Sequence, residues 1–191
     1  MRLFVAVWPD DETRRRLGGL ELELGKSKGL RFVGAARWHV TLRFLGDVDE
    51  RATEALSDAL LGCAAGFPGP LECRLGPGTG WFTGVRVLYL PAAGLDGLAD
   101  AVRSATVPLV PEARAQAEAF NGHLTLARAK GRRLSVAALG EMAPIPFDAA
   151  FPVAHVDLVS SVPSPSGHVY TTIVRAPLAV VGEPDGARGA R

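Results

Sequence analysis

The chain has 191 residues and a formal net charge of +1, with 48% hydrophobic and 21% charged residues. This length and composition are typical of one soluble globular domain, or of two small lobes that share a core. The near-neutral charge argues against a protein that coats long nucleic acid through a broad basic surface, although it permits one small anion-binding pocket. No apolar run approaches the roughly 18 residues needed to span a bilayer, so we expect a cytoplasmic protein.

The cysteines and the N-terminus favour the same compartment. Cys63 and Cys73 are ten residues apart, a spacing that fits neither a zinc site nor a disulfide framework, so we expect two reduced thiols. The apolar run at 3–8 is broken by Pro9 and two aspartates. It is therefore too short for a signal peptide and predicts a buried strand instead.

The first half of the chain predicts two strands, each followed by a helix. Residues 2–8 are rich in β-branched and aromatic residues and predict a strand, and Asp10 is placed to cap a helix that ends at Gly25. Residues 37–45 alternate between polar and apolar and predict a second strand, and 47–63 predict a second amphipathic helix. The apolar faces consist of Leu17, Leu20 and Leu24 in the first helix and of Ala52, Ala55, Leu56, Ala59 and Leu60 in the second.

Strands and helices follow one another again in the second half. The predicted elements are, in chain order, two strand-like pieces within 67–92, a helix at 96–106, a strand at 123–128, a short helix at 135–140 and two late strands at 151–160 and 169–176. A loop at 161–167 separates the late strands. Residues 179–191 have almost nothing to bury, so we expect a flexible C-terminal tail.

A phrase of four residues occurs twice and includes two of the four histidines: His39-Val-Thr-Leu and His123-Leu-Thr-Leu. Each copy lies on a predicted strand, in a half of the chain that also carries strands and helices. The repetition predicts an α+β fold of two similar lobes with antiparallel sheets, rather than a parallel sheet. The order of the strands does not follow from the sequence.

The repeated phrase predicts a particular chemistry. Side chains alternate along a strand, so His39, Thr41 and Arg43 are expected on one face, and His123 and Thr125 likewise share a face. Two histidines on opposite sides of a phosphate can activate a water and protonate the departing sugar oxygen, since histidine exchanges protons near neutral pH. The threonine hydroxyls and an arginine such as Arg43 can bind the phosphate oxygens, and no metal is then required.

Other kinds of site fit these residues less well. A zinc site needs a third ligand, and no HxH, CxxC or HExxH companion is present. The sequence at 164–167 lacks the nucleophile elbow of the serine hydrolases, and the glycines at 76–80 lack the Gly-Lys-Ser/Thr ending of a phosphate loop. His155 and His168 lack the phrase, so we expect them to be structural or exposed.

The phrases carry a family resemblance. HVTLRFLG at 39–46 and HLTLAR at 123–128, together with the N-terminal strand RLFVAV, resemble the paired motifs of the two-histidine (2H) phosphoesterases. Within that superfamily they are similar to the RNA 2′,3′-cyclic phosphodiesterases, first described as 2′-5′ RNA ligases. The resemblance extends to about residue 178 and includes SPSGHVY at 164–170. It implies one bilobal domain at 1–178, with helices flanking the sheets and a central cleft that holds both phrases.

The resemblance also implies a reaction and a role for each residue. The reaction is hydrolysis of a terminal 2′,3′-cyclic phosphate to a 2′-phosphate, without metal or other cofactor. His39 is implied as the general acid that protonates the leaving 3′ oxygen, and His123 as the general base. Thr41 and Thr125 would hold the phosphate oxygens. Arg128 matches the arginine that closes the second motif, although alternation alone places it on the face opposite to His123 unless the strand ends or twists.

One departure and several alternatives remain open. Asn121-Gly122 precede the second histidine where the family often has proline, and a flexible pair would loosen the placement of His123. Ligation of RNA ends through a 2′-5′ bond and non-catalytic binding of RNA ends or small nucleotides are the alternative functions. The expected partners are RNA 3′ ends or small cyclic-phosphate nucleotides, and we expect a monomer. The aromatic residues that could contact the base are not ranked by the sequence: Trp38, Phe44, Trp81, Phe82 and Tyr170.

Overall fold

The computed structural model describes residues 1–25, 29–82, 87–110, 119–130, 144–165 and 167–180. The strands are β1 (Arg2–Val7), β2 (Leu30–Phe32), β3 (Val40–Asp47), β4 (Pro68–Gly69), β5 (Leu71–Leu75), β6 (Gly80–Trp81), β7 (Val87–Ala93), β8 (His123–Ala129), β9 (Ala149–Val153), β10 (His155–Ser164), β11 (Gly167–Pro177) and β12 (Ala179–Val180). The helices are α1 (Asp11–Leu24), α2 (Arg51–Ala65) and α3 (Asp96–Thr106), and a 3₁₀ turn covers Ala35–Arg37.

Ten of these strands form one antiparallel sheet. Its path is β11-β10-β1-β3-β8-β7-β5-β9, with β2 added on β8 and β6 on β7. The eight-stranded path has two halves of four strands each, and they meet where β3 pairs with β8 through Val40 and Leu124. The predicted α+β class with two antiparallel lobes is confirmed, and the sheets of the lobes are joined edge to edge at the centre of the molecule.

Both lobes follow the same plan around the histidine strands. β1 and α1 precede β3, and β7 and α3 precede β8. In each case the strand ahead of the helix pairs antiparallel with the histidine strand. An approximate twofold axis through the pair Val40–Leu124 therefore relates the two halves.

The helices cover one face of the sheet and leave the other to the cleft. α1 begins after Asp10, whose carboxylate accepts a hydrogen bond from the Thr13 N–H at 2.8 Å, as the sequence predicts. α2 and α3 pack on each other, α2 also contacts β10 and β11, and α3 contacts β3. The side chains of β1 that face the helices belong to the main core. On the other face of β1, Phe4 and Ala6 form a small cluster with Val159.

Two predicted boundaries change, because local pairing overrides the sequence pattern. The second helix begins at Arg51 rather than at 47, since Asp47 still pairs with Arg2 in the sheet. The predicted late strand at 151–160 is divided: Phe151 lies in β9 and pairs with Cys73, and β10 begins at His155. The predicted third helix at 96–106 is confirmed, and the short helix predicted at 135–140 lies outside the described residues.

The predicted loop at 161–167 is wrong, because most of it belongs to a hairpin. β10 continues to Ser164 and β11 begins at Gly167, with Pro163 opposite His168. Proline is tolerated in β10 here because the pairing with β1 ends at Ser160, so the missing N–H has no partner strand on that side. Near the C-terminus, Ala179–Val180 pair with Pro68–Gly69, just beyond the expected domain boundary at 178, and 181–191 lie outside the described residues.

Candidate active site

A cavity of about 470 Å³ lies where β3 meets β8. His39, Thr41, His123 and Thr125 all line it. The strand alternation explains this, because Val40 and Leu124 are fully buried on the core side and their neighbours must point the other way. The structure thus brings together the four residues of the repeated phrase.

The two phrases run antiparallel across the centre of the cleft. Because Val40 lies opposite Leu124, residue 39 lies opposite 125 and residue 41 lies opposite 123. Each histidine therefore has the threonine of the other phrase as its cross-strand neighbour. The two imidazoles lie diagonally, on opposite sides of whatever group occupies the centre.

Both imidazoles are held by the same kind of backbone hydrogen bond. Nδ1 of His39 lies 2.6 Å from the carbonyl oxygen of Arg37, and Nδ1 of His123 lies 2.8 Å from that of Asn121. A carbonyl oxygen only accepts, so in both rings Nδ1–H donates and carries the proton of the neutral imidazole. Nε2 is then the nitrogen of each ring that can exchange a proton with a ligand.

Aromatic rings surround His39. Its ring centroid lies 5.0 Å from that of Phe4, 5.2 Å from that of Trp8 and 5.3 Å from that of Tyr170, with Tyr170 edge-on. Phe4 and Trp8 come from β1 and the residue that follows it, and Tyr170 comes from β11. The lobe that carries the first phrase therefore encloses its histidine in a largely apolar pocket.

This enclosure changes the acid–base behaviour of His39. Burial lowers the pKa of His39 from 6.5 to about 4. The hydrogen bond to the Arg37 carbonyl acts in the opposite direction, and the charges of His123 and Arg128 lower the pKa further. His39 is therefore neutral near pH 7 while the cleft is empty.

The surroundings of His123 fix the ring in another way. Phe82 meets the His123 ring edge-on with centroids 4.6 Å apart, and Phe82 stacks on Tyr89 at 4.1 Å. Behind the histidine, the Ala92 N–H donates to the Gly122 carbonyl at 2.9 Å. A Cβ at position 122 would overlap the carbonyl oxygen of Ala92, so only glycine fits there. These contacts tie Asn121-Gly122 to β7 and oppose the loosening of His123 that the sequence suggests.

Arg43 does not share the face of His39, and that expectation is wrong. The β1–β3 register shifts between Thr41 and Arg43, so Leu42 forms a β-bulge that turns the next side chain to the helix side. Arg43 is 4% exposed, and its guanidinium donates to the carbonyls of Arg103 and Val110 and to the Thr106 hydroxyl. It therefore ties β3 to the C-terminal end of α3 instead of facing the cleft.

Arg128 reaches the cleft through a second bulge. The β7–β8 register shifts between Thr125 and Ala127, which leaves Leu126 as the extra residue. Leu126 and Ala127 are both buried, and Arg128 turns to the cleft and lines it. Alternation alone placed Arg128 on the wrong face, and the family motif was the sequence feature that indicated the cleft.

The cleft carries more positive charge than the sequence suggested. Arg2, Arg31 and Arg37 line it together with Arg128, and the described lining residues include no aspartate or glutamate. Neither phrase contains Arg2, Arg31 or Arg37, so motif analysis missed them. The arrangement is suited to binding anions.

The hairpin of β10 and β11 adds a third histidine to the cleft. His168 lines the cavity, and its Nδ1 lies 2.8 Å from the hydroxyl of Ser161, which also lines it. The sequence did not indicate this placement, because His168 lacks the repeated phrase and Ser161 falls in the predicted loop at 161–167. His155 lies elsewhere, in a surface depression that also contains Asp157 and Arg175.

The candidate aromatic residues divide into two groups. Phe44 and Tyr170 line the cleft, and Phe82 contacts His123. Trp38 is 1% exposed in the core, and Trp81 packs against that core. Phe44, Tyr170 and Phe82 are thus the aromatic candidates that a ligand in the cleft can reach.

The chain is similar to known proteins over most of its length. The family described as LigT like Phosphoesterase matches residues 7–73. A Thermus thermophilus protein named RNA 2′,3′-cyclic phosphodiesterase is 33% identical over 184 residues, which cover 91% of this chain and 88% of the relative. The chain belongs to the LigT-like phosphoesterase family. The resemblance to the two-histidine phosphoesterases that the phrases indicated is confirmed.

Solved structures show the same LigT-like phosphoesterase fold. The crystal structure of TT0787 of Thermus thermophilus matches with a TM-score of 0.84 at 28% identity, covering 95% of this chain and 100% of that chain. The crystal structure of E. coli LigT in apo form matches with a TM-score of 0.72 at 26% identity, covering 93% and 97%. The two-lobed sheet is therefore shared over nearly the whole chain.

In the parts of the chain that the structure describes, no three His, Cys, Asp or Glu side chains are grouped closely enough to hold a metal ion. Over the same ranges, no helix is both long and apolar enough to cross a membrane.

Proposed function

We propose that the protein hydrolyses the terminal 2′,3′-cyclic phosphate of RNA to a 2′-phosphomonoester. The proposal rests on one observation: two imidazoles, each with Nδ1–H donated to a carbonyl oxygen two residues earlier, present Nε2 to one basic cleft from opposite sides. Pure binding of an anion does not need a pair of proton-exchanging groups in this arrangement. The name of the Thermus thermophilus relative supports the same substrate.

The proton transfers divide between the histidines. We assign His123 as the base that takes a proton from the attacking water through Nε2. The water oxygen bonds to phosphorus, the bond from phosphorus to the 3′ oxygen breaks, and that oxygen receives the proton carried by His39 Nε2. His39 has a pKa of about 4 in the empty cleft, so the bound phosphate must favour its protonated form. Substrate binding and proton uptake by His39 are thereby coupled.

The phosphate itself is held by groups near the centre of the cleft. We assign the Thr41 and Thr125 hydroxyls as donors to the non-bridging oxygens, and Arg128 as the group that neutralises charge there, because all three side chains line the cleft. The positive charge then comes from side chains, so the reaction needs no metal or cofactor. Suitable substrates are RNA 3′ ends or small cyclic-phosphate nucleotides, and we expect the protein to act as a cytoplasmic monomer.

The test is incubation of the purified protein, in EDTA, with an oligoribonucleotide that ends in a 2′,3′-cyclic phosphate. We expect the product to gain the mass of one water and to become sensitive to phosphatase. Added oligoribonucleotide with a 5′-hydroxyl reports ligation, which would appear as a longer product instead. An untouched substrate between about pH 5 and 9 would contradict hydrolysis and favour the ligase or a non-catalytic binder.

A further inference from the structure

The cleft is different at its two ends. On the side of His39, beyond the pair formed by residues 39 and 125, lie Arg31, Arg37 and Arg128, which we call the basic end. On the side of His123 lies Phe44, with the Arg2 guanidinium over its ring at 4.9 Å. The charge of Arg128 reaches His39, where it lowers the pKa. The basic end is therefore adjacent to His39.

Two arginines of the basic end are direct cross-strand neighbours. Arg31 on β2 pairs with Arg128 on β8, and both line the cleft. Side chains in such a pair are roughly 5 Å apart at Cβ, and like charges placed this way repel. Among the described residues, no carboxylate forms an ion pair with Arg31 or with Arg128. An anion bound beside this pair would relieve the repulsion.

The reacting phosphate does not account for Arg31. That phosphate must lie between the two Nε2 atoms, near the Val40–Leu124 pair. Arg31 lies opposite Arg128, so the two arginines stand at the same level of the cleft. A cyclic phosphate carries one negative charge, and Arg128 is already assigned to it.

The direction of the reaction places the nucleoside at the basic end. The attacking and leaving oxygens lie on opposite sides of phosphorus in an in-line displacement. If His39 protonates the 3′ oxygen, the ribose that carries this oxygen lies on the His39 side. The 5′ oxygen of the same ribose then points outward, toward Arg31 and Arg37.

We propose that Arg31, at the basic end of the cleft, forms a second phosphate subsite that binds the 5′-phosphate of the terminal nucleotide. In an RNA this group is the phosphodiester to the preceding nucleotide, so the subsite selects RNA ends and 5′-phosphorylated nucleotides over simple nucleoside cyclic phosphates. Arginine suits this role because its guanidinium forms paired hydrogen bonds with phosphate oxygens regardless of the base. The inference rests on the proposed function.

The test compares two substrates that differ only in the 5′-phosphate: adenosine 2′,3′-cyclic phosphate and its 5′-phosphorylated form. We expect the wild-type protein to hydrolyse the phosphorylated form with about tenfold higher kcat/KM, mainly through a lower KM. Arg31→Gln should reduce the ratio of the two kcat/KM values from about tenfold to about one. Arg74→Gln, which changes an exposed arginine on β5, is the matched control and should keep the preference.

A structural role for Arg31 makes a different prediction. Arg31→Gln removes one of two like charges that face each other. Without ligand, the Arg31→Gln protein should therefore have a Tm equal to or above that of the wild type. Equal hydrolysis of both substrates by the wild type, or equal loss on both in Arg31→Gln with a lower Tm, would overturn the subsite and leave the proposed function intact.

Measurements of nucleotide binding test the subsite independently of the proposed reaction. Hydrolysis of neither of these substrates, nor of the oligoribonucleotide that ends in a 2′,3′-cyclic phosphate, would overturn the proposed function. The subsite is then decided by calorimetry with adenosine 2′-monophosphate and adenosine 2′,5′-bisphosphate. Tighter binding of the bisphosphate by the wild type, lost in Arg31→Gln, supports the subsite, and equal affinity for the two nucleotides overturns it.

Discussion

At the scale of single residues, the histidines of the two copies of the phrase have different surroundings. His39 is enclosed by Phe4, Trp8 and Tyr170, and burial lowers its pKa to about 4. His123 contacts Phe82, which belongs to the same lobe as His123. The surroundings of the histidines, rather than the phrase, therefore distinguish their chemistry.

The low pKa of His39 predicts how stability depends on pH. Below about pH 6.5 the unfolded chain takes up a proton at His39 that the folded protein refuses until about pH 4. The free energy of unfolding should therefore fall as the pH drops through this window, by up to about 3 kcal/mol from this residue. His39→Gln should lack that decline, and denaturant unfolding of both proteins from pH 7.5 to 4 measures the difference. Parallel curves for the two proteins would contradict the buried, neutral His39.

At the scale of secondary-structure elements, two β-bulges decide what enters the cleft. The bulge at Leu42 turns Arg43 toward α3 and Phe44 into the cleft, and the bulge at Leu126 turns Arg128 into the cleft. Phe44 and Arg128 therefore occupy corresponding positions in the two lobes. This difference places an aromatic ring at one of these positions and a guanidinium at the other.

Arg43 and Arg128 should respond in opposite ways to the same substitution. Arg43→Met removes three hydrogen bonds from a buried guanidinium near the end of α3, so the free energy of unfolding should fall by about 3 kcal/mol. Arg128→Met, at an exposed position, should change stability by less than about 0.5 kcal/mol but lower kcat by about 10²-fold. Denaturant unfolding and a turnover assay on both variants measure the contrast. Loss of activity without loss of stability in Arg43→Met would contradict the placement of Arg43.

The elements also show what the sequence can predict. Asp10 at the start of α1, the apolar face of that helix and the helix at 96–106 follow from local patterns and capping chemistry, and the structure contains them. The β-bulges cannot be predicted in this way, because the position of the extra residue depends on the neighbouring strand with which it pairs. The sequence of a single strand predicts only the alternation of its side chains. The hairpin that includes Pro163 was missed for the same reason, since a strand tolerates proline only where no neighbouring strand needs its N–H group.

At the scale of the whole molecule, the cleft is a product of the approximate twofold plan. The repeated phrase predicted two lobes and a shared site, and the pairing of Val40 with Leu124 brings the phrases together. The net charge of +1 did not predict a cleft lined by four arginines. Composition averages over the surface, whereas Arg2, Arg31 and Arg37 come together through strands and turns whose order the sequence does not reveal.

The central claim is that His39 and His123 act as an acid–base pair. It is tested most directly by the turnover of His39→Ala and His123→Ala on an RNA 2′,3′-cyclic phosphate, in EDTA and at saturating substrate. We expect each variant to lose about 10²–10⁴-fold in kcat while remaining folded, the usual contribution of a positioned acid or base. Near wild-type turnover in both variants would contradict the account.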